Sequence, residues 1–225
     1  NGEDFYDYKV SASFKPESQN EDEGVSLQAD WQTDYFLVTS ISAYRAHDSY
    51  DNIDADFYDV DALIRTNDIN QDQFSQELRI SDENDKLSYV AGLYYYLQNL
   101  DSTSDTIIGQ DAATLVGVGS FDPPALPPGS ALNVADQEHS SYAIFFYFYY
   151  HITEQLIATG GLRWTFEDKD MTNTFTQNGA SPTDVPFSAA GWAYWLFDPV
   201  KPTPDVNANI DDDQVTGTFK LSWWM

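Results

Sequence analysis

Phe74-Ser-Gln-Glu-Leu-Arg-Ile-Ser-Asp-Glu-Asn-Asp-Lys-Leu-Ser-Tyr-Val-Ala-Gly-Leu-Tyr-Tyr-Tyr96 decides the fold of this chain. Apolar and polar residues alternate on each side of the polar turn 82–86, as in two strands of a hairpin. Leu78 and Ile80 project to one face, while Glu77 and Arg79 project to the other, because successive strand side chains point in opposite directions. A long hairpin with one apolar, aromatic face and one charged face is typical of a sheet between lipid and water.

The composition narrows the class of protein. The 225 residues carry a formal net charge of −27, contain no Cys, and have a mean hydropathy of −0.46. A membrane barrel tolerates such polarity, because only every second strand residue meets lipid. The acidity argues against a nucleic-acid partner, which needs Lys and Arg against its phosphates. No apolar run is long enough for a transmembrane helix, and the start of the chain shows no signal peptide.

Alternation along the chain predicts an all-β protein whose strands form one antiparallel transmembrane β-barrel segment covering residues 1–225. About eight strands are expected. They are predicted at 5–14, 24–31, 35–46, 73–81, 87–100, 140–150, 156–168 and 214–224.

The connections between these strands alternate in length. Short polar turns are predicted near 32–34, 82–86 and 151–155, and long outer loops at about 47–72, 101–139 and 169–213. Outer-membrane barrels have this asymmetry, with tight periplasmic turns and long extracellular loops. The sequence therefore predicts a location in the bacterial outer membrane, with lipid around the wall.

The segment 141–150 is aromatic on both faces of its predicted strand. One face can meet lipid, but the other then carries Phe145, Tyr147 and Tyr149. These rings are expected to pack against a plug, a loop or a partner. Homo- or hetero-assembly through the aromatic strand 141–150 is one form that this packing could take.

Several phrases resemble the barrel of TonB-dependent outer-membrane receptors. They are Phe74–Ser81, Leu87–Tyr95, Tyr150–Asp170, Ala29–Trp31 with Thr39–Arg45, and Val215–Ser222. They follow one another from about residue 24 to residue 222, in the order and with the loop sizes of that family. Their combination is specific, whereas each phrase alone is weak.

The resemblance implies a receptor that takes up a scarce nutrient, such as siderophore-bound iron, cobalamin or a saccharide. Such receptors have a barrel of about 22 strands, a plug domain, and contact with TonB through the plug. This chain shows about eight strands and no plug. It is therefore interpreted as the middle part of a larger barrel, with the plug and the TonB contact outside it.

Three groups of residues are candidates for binding. The aromatic residues of the last long loop could stack on a sugar or a siderophore, or could pack the loop on itself: they are Phe187, Trp192, Tyr194, Trp195 and Phe197. Polar residues expected in the lumen could line substrate passage, or could pair with one another or with the plug: they are Glu77, Arg79, Arg163, Glu167 and Lys220.

The third group is an acidic loop. Its carboxylates could converge on Ca²⁺, which prefers oxygen ligands, or could form a solvated, self-repelling loop. The candidate ligands are Asp51, Asp54, Asp56, Asp59 and Asp61. No cofactor other than this Ca²⁺ is indicated. Because the sequence shows no phosphate loop, nucleophile elbow or histidine metal motif, the chain is not expected to be an enzyme.

Two alternatives have other architectures. Eight strands suffice to close a small barrel, so the chain could be a self-contained outer-membrane barrel with an assembly or structural role. It could also be a soluble β-sandwich that binds carbohydrate through Trp192 and Trp195.

Overall fold

The computed structural model describes residues 12–115, 128–179 and 204–224, and these residues form one antiparallel sheet. Seven strands follow one another in the sheet in chain order. They are β1 (Glu17–Gln32), β2 (Leu37–Asp54), β3 (Leu63–Glu83), β4 (Leu87–Ile108), β5 (Gly129–His151), β6 (Leu156–Gly179) and β7 (Val206–Trp223), with a short helix α1 (Ala112–Leu115) after β4. They account for seven of the predicted strands and confirm the antiparallel β fold. The predicted strand 5–14 lies almost entirely outside the described residues.

Three tight turns join the strands at one end of the sheet, which we call the turn end. Each is closed by a main-chain hydrogen bond in which the amide of Thr33, Asn84 or Thr153 donates to the carbonyl three residues later. The side chain of the same residue accepts amide hydrogen bonds inside the turn, such as those that Lys86 and Leu87 donate to Asn84 Oδ1. These turns confirm the predicted short connections.

The strands extend further from the turn end than the sequence indicated. The predicted loops 47–72 and 101–139 are largely β structure, since β2 runs to Asp54, β3 starts at Leu63, β4 runs to Ile108 and β5 starts at Gly129. β6 and β7 likewise enter the predicted loop 169–213. The predicted bounds were wrong because both faces of these extensions are polar, so the alternation that reveals a strand is lost.

The register divides the side chains between two faces. Leu78 pairs with Leu93, which pairs with Ile144, and these residues define the outer face. Arg79 pairs with Gly92, which pairs with Phe145, and these residues define the inner face. Every strand can be assigned in this way, because residues directly opposite one another in a ladder project to the same side.

An apolar belt covers the outer face near the turn end. Many of its side chains are largely exposed, among them Leu27 (69%), Leu162 (58%) and Phe219 (68%). On β4 the belt runs from Leu87 to Leu97. At ~3.3 Å per residue and a strand tilt of about 40°, this run is about 25 Å tall, which matches the apolar band of a membrane barrel.

Polar side chains inside the belt bond to one another. Ser42 Oγ donates to Gln76 Oε1, and Gln76 Nε2 donates to Ser40 Oγ at 3.0 Å. These hydrogen bonds give the polar side chains of Ser40, Ser42 and Gln76 partners at outer positions of the sheet.

A carboxylate band lies on the outer face beyond the belt, away from the turn end. It consists of Glu17, Glu21, Glu23, Asp48, Asp54, Asp68, Asp72, Asp101, Asp105, Asp136, Glu138, Asp168, Asp170, Asp211 and Asp213. Every Lys, Arg and His of the seven described strands lies instead on the inner face. These are Arg45, His47, Arg65, Arg79, His139, His151, Arg163, Lys169 and Lys220.

This architecture disagrees with the two alternatives. A β-sandwich buries a core between two packed sheets, whereas the described residues form one sheet whose few buried apolar residues are mostly alanines. A closed barrel has no edges, but β1 and β7 are the two edges of the described sheet. In the same part of the chain, no helix is long and apolar enough to cross a membrane.

Candidate functional site

The inner face is a polar wall, and the five predicted lumen residues share it. Glu77 and Arg79 lie two residues apart on β3, with 3.3 Å between Oε1 and Nη1. Lys220 of β7 is exposed and pairs with Thr159 of β6. The residues are spread over three strands, so the structure brings them to one face but not to one site.

Arg163 and Glu167 of β6 contact neighbouring side chains of the wall. The Arg163 guanidinium lies 5.5 Å from the centre of the Tyr94 ring, and its Nε donates to Thr165 Oγ1 at 3.0 Å. Glu167 Oε2 lies 3.8 Å from Nε2 of His139, whose imidazole packs edge-on against Tyr96. Aromatic rings therefore hold these charged and titratable groups against the wall.

A charged cluster on β1 and β2 was missed from the sequence. Asp22 Oδ1 accepts from Arg45 Nη2 at 2.7 Å and lies 3.1 Å from His47 Nδ1. The cluster lies beyond the belt, on the side of the sheet away from the turn end. Hydrogen bonds from Arg45 and then His47 lower the pKa of the Asp22 carboxyl below its ordinary value. No sequence signal identified it, because the pairing depends on the register between two strands whose outer halves were predicted as loops.

The aromatic strand is accommodated by glycines on its neighbours. The Phe145 ring lies over Gly92 of β4, where a Cβ atom would collide with the ring. The Tyr147 ring lies over Gly161 of β6, with 2.8 Å between its Cδ2 and an added Cβ. Two of the inner rings, Phe145 and Tyr147, therefore pack against neighbouring strands of the same sheet. The sequence feature that could have indicated this packing is the presence of Gly92 and Gly161 in strands rich in aromatic residues.

Three of the five predicted Ca²⁺ ligands accept hydrogen bonds from main-chain amides. Asp56 accepts from the amides of Tyr58 and Leu63, at 2.9 and 2.7 Å. Asp54 is 4% exposed, and its Oδ2 accepts from the amide of Ser13 at 2.6 Å. Asp61 Oδ2 accepts from the amide of Gln110 at 3.4 Å. Within the described ranges, no group of three or more acidic, His or Cys side chains is arranged to hold a metal ion.

The five loop aromatics predicted to contact ligand lie outside the described residues. Phe187, Trp192, Tyr194, Trp195 and Phe197 all belong to the segment 180–203. Their role as a binding group stays a prediction from the sequence.

The chain is similar in structure to solved receptors for siderophores and ferric chelates. The chain is similar to the ferric yersiniabactin uptake receptor FyuA from Yersinia pestis, with a TM-score of 0.65 and 16% identity over 92% of this chain and 26% of that receptor. It is also similar to the siderophore receptor PiuA from Acinetobacter baumannii, with a TM-score of 0.54 and 16% identity over 92% of this chain and 30% of that receptor. For the ferric-catecholate import receptor Fiu from E. coli K12, the TM-score is 0.51 and the identity 11%, over 92% and 33%.

These similarities concern the fold. No protein-family model and no curated protein matches the chain. The chain spans between a quarter and a third of the length of the receptors that it resembles. All three are named as receptors and none as an enzyme. The seven-stranded sheet thus has the fold of one section of a β-barrel wall, as found in TonB-dependent siderophore receptors.

Proposed function

We propose that this chain is part of the barrel of an outer-membrane, TonB-dependent receptor that imports an iron chelate. The observation that carries the proposal is the two-faced sheet, with a belt about 25 Å tall on one face and a polar wall on the other. That combination suits a wall between lipid and a water-filled or plugged lumen. A soluble protein would not leave Leu27, Leu162 and Phe219 more than half exposed in one continuous belt.

Iron chelates are favoured over cobalamin and saccharides because the three similar receptors are named for siderophores or ferric chelates. In this proposal the loop aromatics Phe187, Trp192, Tyr194, Trp195 and Phe197 stack on the chelate outside the membrane. The polar residues of the inner wall face a plug domain, and TonB acts on that plug. Aromatic side chains suit this role, since they bind flat organic groups with little loss of conformational entropy.

The test is uptake by cells that depend on the intact receptor. A deletion strain complemented with the full-length gene is supplied with radioactive iron chelates, labelled cobalamin or labelled oligosaccharides. We expect uptake of an iron chelate that disappears in the deletion strain and in a strain without TonB. Uptake of only cobalamin or saccharide would contradict the iron assignment. Uptake unaffected by loss of TonB would contradict the mechanism.

The loop aromatics are tested in the same strain. Trp192→Ala combined with Trp195→Ala is expected to reduce chelate binding to whole cells without reducing the amount of receptor in the outer membrane. Trp31→Ala, in the apolar belt of the outer face, is the matched control. Equal binding by the loop variant and the wild type would contradict the role of the loop.

A further inference from the structure

One polar row crosses the inner face just beyond the belt. It joins directly opposed residues of five strands: Arg45, Gln73, Gln98, His139 and Lys169. In this row and in the rows further from the turn end, the inner face of the seven strands carries three permanent cations and two histidines against two carboxylates. These groups are Arg45, Arg65, Lys169, His47, His139, Asp22 and Asp51.

The outer face at the same distance from the turn end has the opposite character. It carries the carboxylate band and, within the seven described strands, no Lys, Arg or His. The chain as a whole has a formal net charge of −27. An anion that approaches the described sheet is therefore repelled by the outer face, while the inner face beyond the belt offers it fixed positive charge.

A cavity of about 200 Å³ lies in this part of the inner face. It is lined by Arg45 and His47 of β2 and by Gln71 and Gln73 of β3. The register brings these side chains together, because Arg45 pairs with Gln73 and His47 pairs with Gln71. A guanidinium and two primary amides are planar groups that donate N–H hydrogen bonds, and a guanidinium matches the two oxygens of a carboxylate.

A carboxylate of the protein itself already bonds to the cation of this cavity. Asp22 Oδ1 accepts from Arg45 Nη2 at 2.7 Å and lies 3.1 Å from His47 Nδ1. Hydrogen bonds from Arg45 and then His47 lower the pKa of the Asp22 carboxyl, so these side chains favour an ionised carboxylate.

The pair of Asp22 and Arg45 is open to exchange. The two side chains are 51% and 63% exposed, and exposed ion pairs contribute little to stability. The bond to Asp22 uses one of the five N–H donors of the Arg45 guanidinium. A second carboxylate can therefore replace Asp22 at small cost, and it gains the amide donors of Gln71 and Gln73.

From this geometry we propose that the cavity binds a free carboxylate of the imported ligand, which displaces Asp22 from Arg45. The ligand is then an iron chelate with an uncoordinated carboxylate, and Arg45 selects it over chelates without charge. Asp22 holds the guanidinium in place until the ligand carboxylate arrives. The inference rests on the proposed function, which supplies the iron chelate and makes the inner face the lumen.

The inner face offers a matched control for Arg45. Arg65 of β3 is an exposed arginine of the same face, but it pairs with Ile53 and Thr106 instead of amide side chains. Arg45→Gln and Arg65→Gln change the net charge equally, so a difference between them reports the cavity and not the total charge. Asp22→Asn removes the competing carboxylate and leaves Arg45 in place.

The experiment measures binding of radioactive ferric citrate and of a neutral ferric tris-hydroxamate to the full-length protein in detergent. We expect the citrate chelate to bind more tightly than the hydroxamate. Arg45→Gln should weaken citrate binding about tenfold or more, while Arg65→Gln should leave it unchanged. Asp22→Asn should tighten it several-fold, which a merely structural role of the ion pair would not do. Heat-modifiable gel migration shows that each variant is folded.

Three results would overturn the inference. They are equal citrate binding by the two arginine variants, weaker binding by Asp22→Asn, and displacement of the citrate chelate by inorganic phosphate but not by acetate. TonB-dependent uptake of only the neutral chelate, unchanged by Arg45→Gln, would also refute this site while leaving the proposed function intact. Absence of TonB-dependent uptake of any iron chelate would refute the proposed function itself.

Discussion

At the residue scale, single polar side chains close the turns and organise the inner wall. Asn84 and Thr153 each accept two amide hydrogen bonds in a tight turn. Asp22 contacts the Arg45 guanidinium and the His47 imidazole beyond the belt. In each case the carboxyl, amide or hydroxyl oxygen replaces bonds that main-chain amides or cations would otherwise make to water.

The first prediction concerns the turn at Asn84. Asn84→Ala removes the acceptor for the amides of Lys86 and Leu87, so we expect a loss of about 1 kcal/mol in the free energy of unfolding. The measurement is urea unfolding, in lipid vesicles, of the full-length protein that contains this chain. Asn84→Asp keeps an acceptor oxygen and serves as the control. Equal stability of the alanine and aspartate variants would show that the turn does not use this side chain.

The second prediction concerns pH. Because the pKa of Asp22 is lowered, its ionised form stabilises the fold above the ordinary pKa of 3.8 and that contribution disappears as the pH falls through the folded-state value. Carboxyl-carbon NMR of the full-length protein in detergent should show Asp22 titrating below 3.8. Arg45→Gln should raise this pKa more than His47→Ala does, since Arg45 is the main cause. The reverse order would contradict the cluster geometry.

At the element scale, the two faces of each strand differ in residue type near the turn end. The outer face carries large apolar side chains, while the inner face combines polar residues with aromatic rings that lie over glycines. β5 shows both, since Ile144 is 53% exposed to the outside and Phe145 packs over Gly92 on the inside.

The third prediction concerns that close approach. Gly92→Ala places a methyl group in the space of the Phe145 ring, and overpacking of this kind costs about 1–3 kcal/mol. Phe145→Ala is expected to offset part of that cost in the double variant, which a double-mutant cycle of unfolding free energies measures. Strictly additive effects would show that the ring does not occupy this space.

The fourth prediction separates the two faces of β3. Leu78→Arg places a charge in the middle of the belt, and such substitutions in barrels cost about 2–4 kcal/mol. Ser75→Arg places the same charge on the inner face, close to Glu77, where water and carboxylates surround it. We expect the outer variant to be much less stable in vesicles. Similar stability of both variants would contradict the assignment of the outer face to lipid.

At the scale of the whole molecule, the described residues form one sheet whose edge strands are β1 and β7. Long edge strands promote association with other strands. In the proposed barrel, β1 and β7 pair with further strands.

The fifth prediction follows from those edges. Residues 1–225 expressed alone and refolded in detergent should fail to show the heat-modifiable migration of a closed barrel, and should associate into larger species by light scattering. The full-length protein under the same conditions is the control, and the proposed function predicts that it migrates as a folded barrel. A monomeric, heat-modifiable 225-residue chain would show instead that these strands close by themselves.

The sequence predicted the fold where the two faces differ in polarity. The hairpin 74–96 revealed its strands, turn and faces because apolar residues alternate with Glu77 and Arg79. Beyond the belt both faces meet water, so strand extensions such as 47–54 looked like loops. The Asp22 cluster depends on register, and Phe145 over Gly92 depends on strand adjacency, neither of which a single strand reveals. The polar inner residues were identified, but their partners His139 and Tyr94 were not.

In the proposed outer-membrane location, the junction between belt and band determines how deep the wall sits in the bilayer. Moving it inward by two residues along a strand, about 5 Å along the membrane normal, would draw Asp213 and Asp168 into hydrocarbon. Charged groups pay a depth-dependent penalty there. Moving it outward by the same distance would lift apolar side chains at the edge of the belt, such as Val215, into water. Both displacements cost free energy, so the boundary between belt and band fixes the depth of the proposed barrel wall in the bilayer.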